Sequence, residues 1–145
     1  MNIIADLKSF AKDLTILVVE DDRELNAELV SLLKIFFKHV DFAFDGKEGL
    51  NLYRTNRQDI VLSDITMPRL DGIKMSTEIK ILNRTQPIVI LSAQTELRYV
   101  IPLVDIGISQ FVAKPFESDN LLYRLLKVSE EIVSKKYFNK IIGEA

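Results

Sequence analysis

The sequence predicts an α/β fold, in which a doubly wound parallel sheet of five strands is covered by helices on both faces. Five short apolar runs carry this prediction, because most of their residues are β-branched or aromatic and each run is too short for a helix. Each gap between them is long enough for one helix, and apolar strands that alternate with amphipathic helices are typical of a parallel sheet with right-handed crossovers. The runs are residues 16–19, 40–44, 60–62, 88–91 and 111–113.

The first three predicted helices each begin at an aspartate. Asp22 is a good N-cap for the first helix, and the turns at Asp45-Gly46 and Asp71-Gly72 start the second and the third. The apolar residues that follow at helical spacing are Leu25, Leu29, Leu32, Leu33 and Phe36 in the first helix, Leu50 and Tyr53 in the second, and Ile73, Met75, Ile79 and Leu82 in the third.

The fourth predicted helix, at about residues 96–104, has a weaker pattern and contains Pro102. A proline in a helix interior removes one backbone donor and clashes with the preceding turn, at a cost of about 3 kcal/mol. We therefore expect this helix to be shortened or kinked.

The last helix begins at Ser118, and its helical spacing continues to Ile142. This predicts a helix of about 24 residues, roughly twice the usual mean. Residues 2–13 form a further amphipathic segment. We accordingly divide the chain into an N-terminal amphipathic segment at residues 1–13, a domain at residues 14–127 and an extension of the last helix at residues 128–145.

Both terminal segments leave alternatives open. Residues 2–13 either pack on their own domain or fray. The apolar stripe at residues 128–142 is either a dimer seam or a stalk that leads into a further domain outside this chain. An apolar stripe with no core to cover usually finds a partner, so we favour a dimer contact.

Composition excludes several classes of function. The net charge of −2 and the pI near 5.5 predict no basic face, so direct nucleic-acid binding is not expected. The absence of Cys excludes disulfides, thiolate metal sites and cysteine nucleophiles. No apolar run approaches the roughly 18–20 residues that span a bilayer, and the N-terminus does not resemble a signal peptide. We expect a cytoplasmic protein that does not bind membranes.

Polar residues follow four of the five predicted strands. Glu20 and Asp21 follow the first strand, Asp64 the third, Ser92 the fourth and Lys114 the fifth. In an open parallel sheet, ligands bind beyond the carboxyl ends of the strands. Three acids, a hydroxyl and a lysine are therefore predicted to converge on one rim of the sheet.

This set of residues suits phosphoryl transfer to a carboxylate. Asp64 is the best nucleophile because it lies on the central strand, while Asp21 and Glu20 are candidate metal ligands, Glu20 directly or through water. A divalent cation such as Mg²⁺ prefers oxygen ligands and offsets the repulsion between these acids and a phosphoryl donor. Lys114 and Ser92 can contact phosphoryl oxygens, Lys114 as a point charge.

The chain resembles the receiver domain of two-component response regulators over about residues 15–127. A single carboxylate after a strand would be weak support for this resemblance. Here four motifs match together without a gap. The matching stretches are ILVVEDD at residues 16–22, DIVLSDITMPRLDG at 59–72, IVILSA at 88–93 and FVAKPF at 111–116. The resemblance implies a flavodoxin-like fold with strand order 2-1-3-4-5.

The resemblance also implies a metal site and a phosphorylation site. Asp64 corresponds to the phosphoacceptor aspartate, Asp21 to the inner metal-binding acid and Glu20 to its acidic neighbour. Thr66 corresponds to the residue whose backbone carbonyl binds the metal. The implied cofactor is Mg²⁺, or Mn²⁺ in its place.

Further roles follow from the same resemblance. Ser92 and Phe111 correspond to the switch hydroxyl and the switch aromatic, although many relatives carry tyrosine where this chain has Phe111. Lys114 corresponds to the family's site lysine, and its bond to Pro115 is expected to be cis. Asp71 and Gly72 are interpreted as structural, because they end a loop and start a helix.

Such a receiver takes its phosphoryl group from a sensor histidine kinase or a phosphotransfer protein. The only histidine, His39, is interpreted as structural, so the donor histidine belongs to another protein. Phosphorylation is expected to change the face formed by the fourth helix, the fifth strand and the fifth helix of the repeating pattern, and so to control an effector or an output domain outside this chain. The chain would modify only itself and is not expected to be an enzyme.

Three other functions compete with this prediction. A Mg²⁺-dependent aspartyl phosphatase typically has a second aspartate two residues after its nucleophile, where this chain has Thr66. A flavodoxin-like nucleotide binder needs a glycine- or hydroxyl-rich phosphate loop after the first strand, where this chain is acidic. A degenerate receiver that acts only as a protein-binding or dimerisation module remains the main alternative.

Overall fold

In the computed structural model, which describes residues 2–65, 67, 69–93 and 97–143, five parallel strands form one sheet. The strands are β1 (Thr15–Val19), β2 (His39–Ala43), β3 (Ile60–Asp64), β4 (Ile88–Ser92) and β5 (Gln110–Ala113). Their order is β2-β1-β3-β4-β5, so the predicted fold class and strand order are confirmed. Asp64 and Ser92 are the last residues of their strands rather than the first residues after them.

Asp22, Asp45 and Asp71 cap three of the helices, each accepting a first-turn backbone N–H at 2.8–3.1 Å. Among the described residues, no helix is both long and apolar enough to cross a membrane. The helices are α1 (Ile3–Ala11), α2 (Arg23–Leu33), α3 (Gly46–Asn56), α4 (Gly72–Leu82), α5 (Leu97–Asp105) and α6 (Ser118–Ile142).

Successive residues of β1 are buried on opposite faces of the sheet. Ile16 and Val18 belong to a core that α1, α2 and α6 cover, whereas Leu17 and Val19 belong to a second core under α3, α4 and α5. All four side chains are fully buried. Because side chains alternate along a strand, a sheet covered on both faces requires the continuous apolar runs seen in the sequence.

We expected Pro102 to shorten or kink the fourth helix of the pattern, and the expected shortening is wrong. This helix is α5, which runs without a break from Leu97 to Asp105 and contains Pro102 at its sixth position. Pro102 removes only its own hydrogen bond to the preceding turn, and the helix continues beyond it because its apolar side is anchored by the fully buried Leu103.

The N-terminal segment is a helix packed on its own domain. Leu7 and Ala11 of α1 are fully buried in contact with α6, and Val128 of α6 is buried in the same core. Ile132 and Val133 are partly buried against that core. The sequence-based interpretation of residues 128–142 as one uncovered stripe is therefore wrong for its first part, which α1 and the domain cover.

Candidate functional site

Three carboxylates meet at the carboxyl edge of the sheet. Glu20, Asp21 and Asp64 each offer one oxygen, and these three atoms all lie within 4.8 Å of one another. Val19 pairs with Ser63 in the register of β1 and β3, so the acids that follow these two residues are brought side by side. Glu20 is buried, Asp64 is half-buried and Asp21 is exposed.

Lys114, the residue directly after β5, contacts two of these acids. Its Nζ donates to Glu20 Oε1 and, at 3.2 Å, to Asp64 Oδ2. The backbone N–H of Lys114 donates to the carbonyl of Ser92 at 2.7 Å, which fixes the chain where β5 ends. The bond from Lys114 to Pro115 is cis, as the resemblance implied.

Burial and charge act against each other on Glu20 and Lys114. Burial raises the pKa of Glu20 above its usual value, with a contribution from the nearby Asp64, although hydrogen bonds from Lys114 and from the N–H of Asp22 oppose the change. Burial by itself would lower the pKa of Lys114, but Glu20 and Asp64 outweigh it and raise that pKa. One ammonium group faces three carboxylates, so the cluster remains rich in negative charge when ionised.

The donor set fits a hard divalent cation. Carboxylate oxygens from Glu20, Asp21 and Asp64 are the type of ligand that Mg²⁺ and Mn²⁺ bind, and they converge closely enough to share one ion. The fourth predicted ligand, the backbone carbonyl of Thr66, lies outside the described residues.

The loop after Asp64 is held against the start of α4. Gly72 donates its N–H to the carbonyl of Ile65 at 2.6 Å, and a Cβ atom on Gly72 would lie 2.0 Å from the carbonyl oxygen of Asp64. Only glycine fits this close approach of two backbones. Asp71 caps α4 by accepting the N–H of Lys74 at 2.8 Å.

Ser92 and Phe111 lie on the adjacent strands β4 and β5. Ser92 ends β4 and is buried, one residue beyond Leu91, which pairs with Asp64. Phe111 lies on β5 opposite Ile90, and its ring is half-buried against the core on the α3, α4 and α5 side. Their switch roles remain predictions.

One supporting residue was missed by the sequence analysis. Asn26 of α2 is almost fully buried, and its Nδ2 donates to the carbonyls of Glu20 and Ala43, both at 3.0 Å. It thereby joins the ends of β1 and β2 directly behind the acids. Its position in the first turns of the helix after the acidic run was the one available signal, and an asparagine near a helix start is more often exposed to solvent than buried.

Similar solved structures share this fold. The N-terminal domain of an uncharacterized protein from Wolinella succinogenes has a TM-score of 0.78 and 32% identity, covering 84% of this chain and 98% of that one. The receiver domain of the Francisella response regulator 1452 has a TM-score of 0.74 and 30% identity, covering 83% and 99%. A chain of the CheX-CheY-BeF3-Mg complex from Borrelia burgdorferi has a TM-score of 0.74 and 28% identity, covering 81% and 90%.

Curated proteins are also similar to this chain in sequence. Transcriptional regulatory protein DltR of Streptococcus agalactiae is 34% identical over 110 residues, which are 76% of this chain and 49% of that protein. Hybrid signal transduction histidine kinase D of Dictyostelium discoideum is 31% identical over 132 residues, which are 90% of this chain and 8% of that protein. The chain spans about half the length of DltR. The family model of the response regulator receiver domain matches residues 16–126, and the chain belongs to this family of two-component response regulator receivers.

Proposed function

We propose that this chain accepts a phosphoryl group on Asp64 in a Mg²⁺-dependent reaction, with a partner histidine kinase or phosphotransfer protein as donor. The observation that carries the proposal is the cluster of three carboxylates in which Lys114 contacts both Glu20 and Asp64. The similar chain from Borrelia burgdorferi comes from a complex that contains BeF3 and Mg²⁺, which supports the same chemistry here.

The protein contributes to this reaction mainly by positioning the reacting groups and neutralising charge. A carboxylate oxygen of Asp64 attacks the phosphorus of the donor phosphohistidine, the P–N bond breaks, and the imidazole leaves with the electron pair and takes up a proton. The ammonium group of Lys114, already within 3.2 Å of Asp64, is placed to neutralise a phosphoryl oxygen. A bound Mg²⁺ would supply further neutralisation of the phosphoryl oxygens.

The phosphorylated state would act through neighbouring strands. The hydroxyl of Ser92 at the end of β4 can donate to a phosphoryl oxygen, and its movement would free space beside Phe111 on β5. Phe111 has no hydroxyl, so its inward and outward states differ mainly in the apolar area that they bury. We propose that the surface formed by α5, β5 and α6 changes as a result and controls an effector or an output domain outside this chain.

A partner that carries the donor histidine needs access beside Lys114. A groove of about 500 Å³ lies there between α2 and the start of α6. Leu25, Glu28 and Phe116 line it, and this mixture of apolar and acidic groups suits a protein partner. His39 begins β2 and its Nε2 lies 2.9 Å from Asp41 Oδ1. We propose that the donor histidine belongs to another protein.

We also propose that the chain is not an enzyme in the usual sense, because it would modify and dephosphorylate only itself. A cytoplasmic location follows from the same proposal, since histidine kinases draw their phosphoryl groups from nucleoside triphosphates. Both statements depend on Asp64 being a phosphoacceptor.

Beryllofluoride binding tests the proposal. We expect fluorine NMR to show bound resonances when BeF3⁻ and Mg²⁺ are added together to the protein, and none with Asp64→Asn or without Mg²⁺. Bound signals that persist in Asp64→Asn would assign the anion to another site. No binding by the wild-type protein would contradict the proposal and favour the degenerate receiver.

A further inference from the structure

We propose that Arg69 is a positioning residue for the phosphoacceptor, because its ion pair with Asp45 holds the loop after β3 so that the backbone N–H of Ile65 orients the carboxylate of Asp64. This inference rests on the proposed function, since it concerns the same carboxylate. Arg69 would act through the loop and not through contact with the phosphoryl group.

The carboxylate of Asp64 lies between two donors from different parts of the chain. Its Oδ1 accepts the N–H of Ile65 at 2.7 Å, and its Oδ2 accepts from Lys114 Nζ at 3.2 Å. Ile65 is the first residue of the loop that joins β3 to α4. Because a hydrogen bond weakens when its distance and angle change, the course of this loop determines one of the two contacts that orient the carboxylate.

Two neighbouring contacts attach the far end of this loop to the loop between β2 and α3. Arg69 places Nε at 2.9 Å and Nη2 at 2.7 Å from the same oxygen, Asp45 Oδ2. One residue further along each loop, a Cβ atom on Gly46 would lie 2.0 Å from the carbonyl oxygen of Leu70, so the two backbones are in direct contact. The ion pair and this backbone contact together hold the loop after β3 against its neighbour.

The backbone of Arg69 has an unfavourable conformation. Its φ is +66°, in the left-handed region that residues with a side chain rarely adopt. Such a conformation persists only where the surrounding contacts hold it, and it is more common at functional sites than elsewhere. Glycine would adopt this φ without strain. An arginine at this position therefore indicates that the side chain contributes a contact that glycine would not make.

Asp45 is a firm attachment point for Arg69. Its carboxylate is buried, and its other oxygen caps α3 by accepting the N–H of Glu48 at 2.8 Å. α3 in turn packs on the core through the buried Leu50 and Tyr53. Arg69 is therefore attached to a helix that packs on the sheet.

Two other interpretations of this ion pair make different predictions. The side chain of Arg69 is 56% exposed, and an ordinary surface ion pair contributes little to stability. Electrostatics alone predicts an effect of the opposite sign, because Arg69 is a positive charge at the edge of the sheet where three carboxylates would bind a cation. Its removal would then strengthen Mg²⁺ binding, whereas loss of a positioning residue weakens it.

Replacement of Arg69 by glycine tests the proposal, because glycine relieves the unfavourable φ and removes only the side chain. We expect Arg69→Gly to remain folded and to weaken Mg²⁺ binding about tenfold by calorimetry, as loss of a residue that supports metal ligands typically does. Unchanged or tighter Mg²⁺ binding by Arg69→Gly would overturn the proposal.

Arg57→Gly is the matched control for this experiment. Arg57 has a φ of +48° and follows α3 at the opposite edge of the sheet. The substitution removes the same charge and relieves the same kind of backbone strain, so it should leave Mg²⁺ affinity at the wild-type value. An equal loss of affinity in both variants would contradict a specific role for Arg69.

The amide of Ile65 gives a measurement that does not require Mg²⁺. In the Mg²⁺-free protein, we expect NMR to show that the Ile65 N–H is protected from hydrogen exchange in wild type and loses this protection in Arg69→Gly, while Leu17 in the buried strand β1 keeps its wild-type rate. Equal protection of Ile65 in both proteins would contradict the proposal. If this result holds but wild type binds no BeF3⁻, the phosphoacceptor function fails and the positioning of the loop does not, so the two failures are distinguishable.

A double-variant cycle tests whether Arg69 acts through Asp45. Asp45→Ser keeps one side-chain oxygen for the cap of α3 but leaves no second oxygen for Arg69. We expect Asp45→Ser to weaken Mg²⁺ binding, and the double variant with Arg69→Gly to bind no more weakly than the weaker single variant. Losses that add in the double variant would show that the two residues act separately and would contradict positioning through this pair.

Discussion

Glu20 is only 1% exposed, and its carboxylate depends on Lys114 and on the N–H of Asp22 for partners. A buried carboxylate without a partner is costly, by several kcal/mol. Lys114 therefore opposes the effect of burial on the pKa of Glu20. Under the proposed function it would also meet the oxygens of an incoming phosphoryl group.

Replacement of Lys114 by methionine should make the free energy of unfolding depend more strongly on Mg²⁺. We expect Lys114→Met to lower the free energy of unfolding by about 3 kcal/mol without Mg²⁺, because Glu20 loses its main partner. Mg²⁺ should recover part of this loss, since a ligand that binds only the folded state stabilises it. Urea unfolding with and without Mg²⁺ measures the effect.

Lys136→Met, at an exposed ion pair with Asp59, is the control for this prediction. It should change the free energy of unfolding by less than about 1 kcal/mol. An equal gain in stability from Mg²⁺ in wild type and in Lys114→Met would contradict the assignment of Glu20 to the cation site.

Glycine substitutions should separate an effect on Mg²⁺ binding from an effect on core packing. A Cβ on Gly72 would meet the carbonyl oxygen of Asp64 at 2.0 Å, whereas one on Gly49 would meet side-chain atoms of Val19 and Met75 at 2.8 and 2.9 Å. We expect Gly72→Ala and Gly49→Ala both to destabilise the fold, by about 1–3 kcal/mol. Only Gly72→Ala should also weaken Mg²⁺ binding, which calorimetry would show; equal Mg²⁺ affinity in both variants would contradict this.

At the residue scale, the sequence predicted the charged groups well and their supports poorly. Glu20, Asp64 and Lys114 could be found because they lie at strand ends, and strand ends follow from the apolar runs. Asn26 could not be found, because its two carbonyl partners belong to the ends of β1 and β2, which lie far apart in the sequence and become neighbours only in the folded sheet.

At the scale of single elements, a residue that caps a helix can also hold a second loop in place. Asp45 caps α3 through the N–H of Glu48 at 2.8 Å, and its other oxygen accepts from Arg69 Nε at 2.9 Å. Arg69 lies in the loop between β3 and α4, so this one carboxylate joins two loops at the carboxyl edge of the sheet. Burial acts to raise the pKa of Asp45, but these hydrogen bonds and the charge of Arg69 lower it overall.

The lowered pKa of Asp45 predicts a pH dependence. A carboxyl group with a lower pKa in the folded state contributes stability above its unfolded pKa, about 3.9, and loses that contribution as pH falls through the folded value. Asp45→Asn, which can still cap a helix, should cost about 1 kcal/mol at neutral pH and less in acid. Urea unfolding at pH 7 and at pH 3 measures the difference between the two proteins; an equal difference at both would contradict the prediction.

The sequence pattern predicted most elements correctly. It failed at α5, where the helix-breaking effect of proline competed with packing in the core. The aspartate caps of α2, α3 and α4 were found because the cap and the spacing indicate the same start. Pro102 was expected to limit α5, yet the helix continues past it around the buried Leu103. Tertiary packing outweighed the local cost of the proline, and a linear pattern contains no direct measure of that packing.

At the scale of the whole molecule, α1 and α6 extend the receiver fold at one side. α1 packs on α6 in the core that also contains β1 residues, away from the carboxyl edge of the sheet where the acids lie. α1 should therefore support stability without taking part in the site.

Leu7→Ala tests this separation. Leu7 is fully buried, so we expect the substitution to lower the free energy of unfolding by about 2–5 kcal/mol. Ile4→Ala, at a residue that is 52% exposed on the same helix, should change it by less than about 1 kcal/mol. Mg²⁺ affinity should stay at the wild-type value in both folded variants; a loss of affinity in Leu7→Ala would connect α1 to the site.

The overall architecture was predictable because five buried runs and their intervening helices allow few arrangements. The course of α6 was not. Its apolar residues follow helical spacing on both sides of Ser134, but spacing alone does not show which part of this apolar pattern packs on the domain. Only the contacts of Val128 and Ile132 with the domain distinguish the covered stripe from the outward one.

The most direct test of the central claim is the intact mass of the protein after incubation with acetyl phosphate. We expect one phosphoryl group to be added in the presence of Mg²⁺, none when Mg²⁺ is chelated, and none in Asp64→Asn. A Mg²⁺-dependent adduct that persists in Asp64→Asn would place the modification on another residue. An unmodified wild-type protein, folded and saturated with Mg²⁺, would contradict the assignment of Asp64 as the phosphoacceptor.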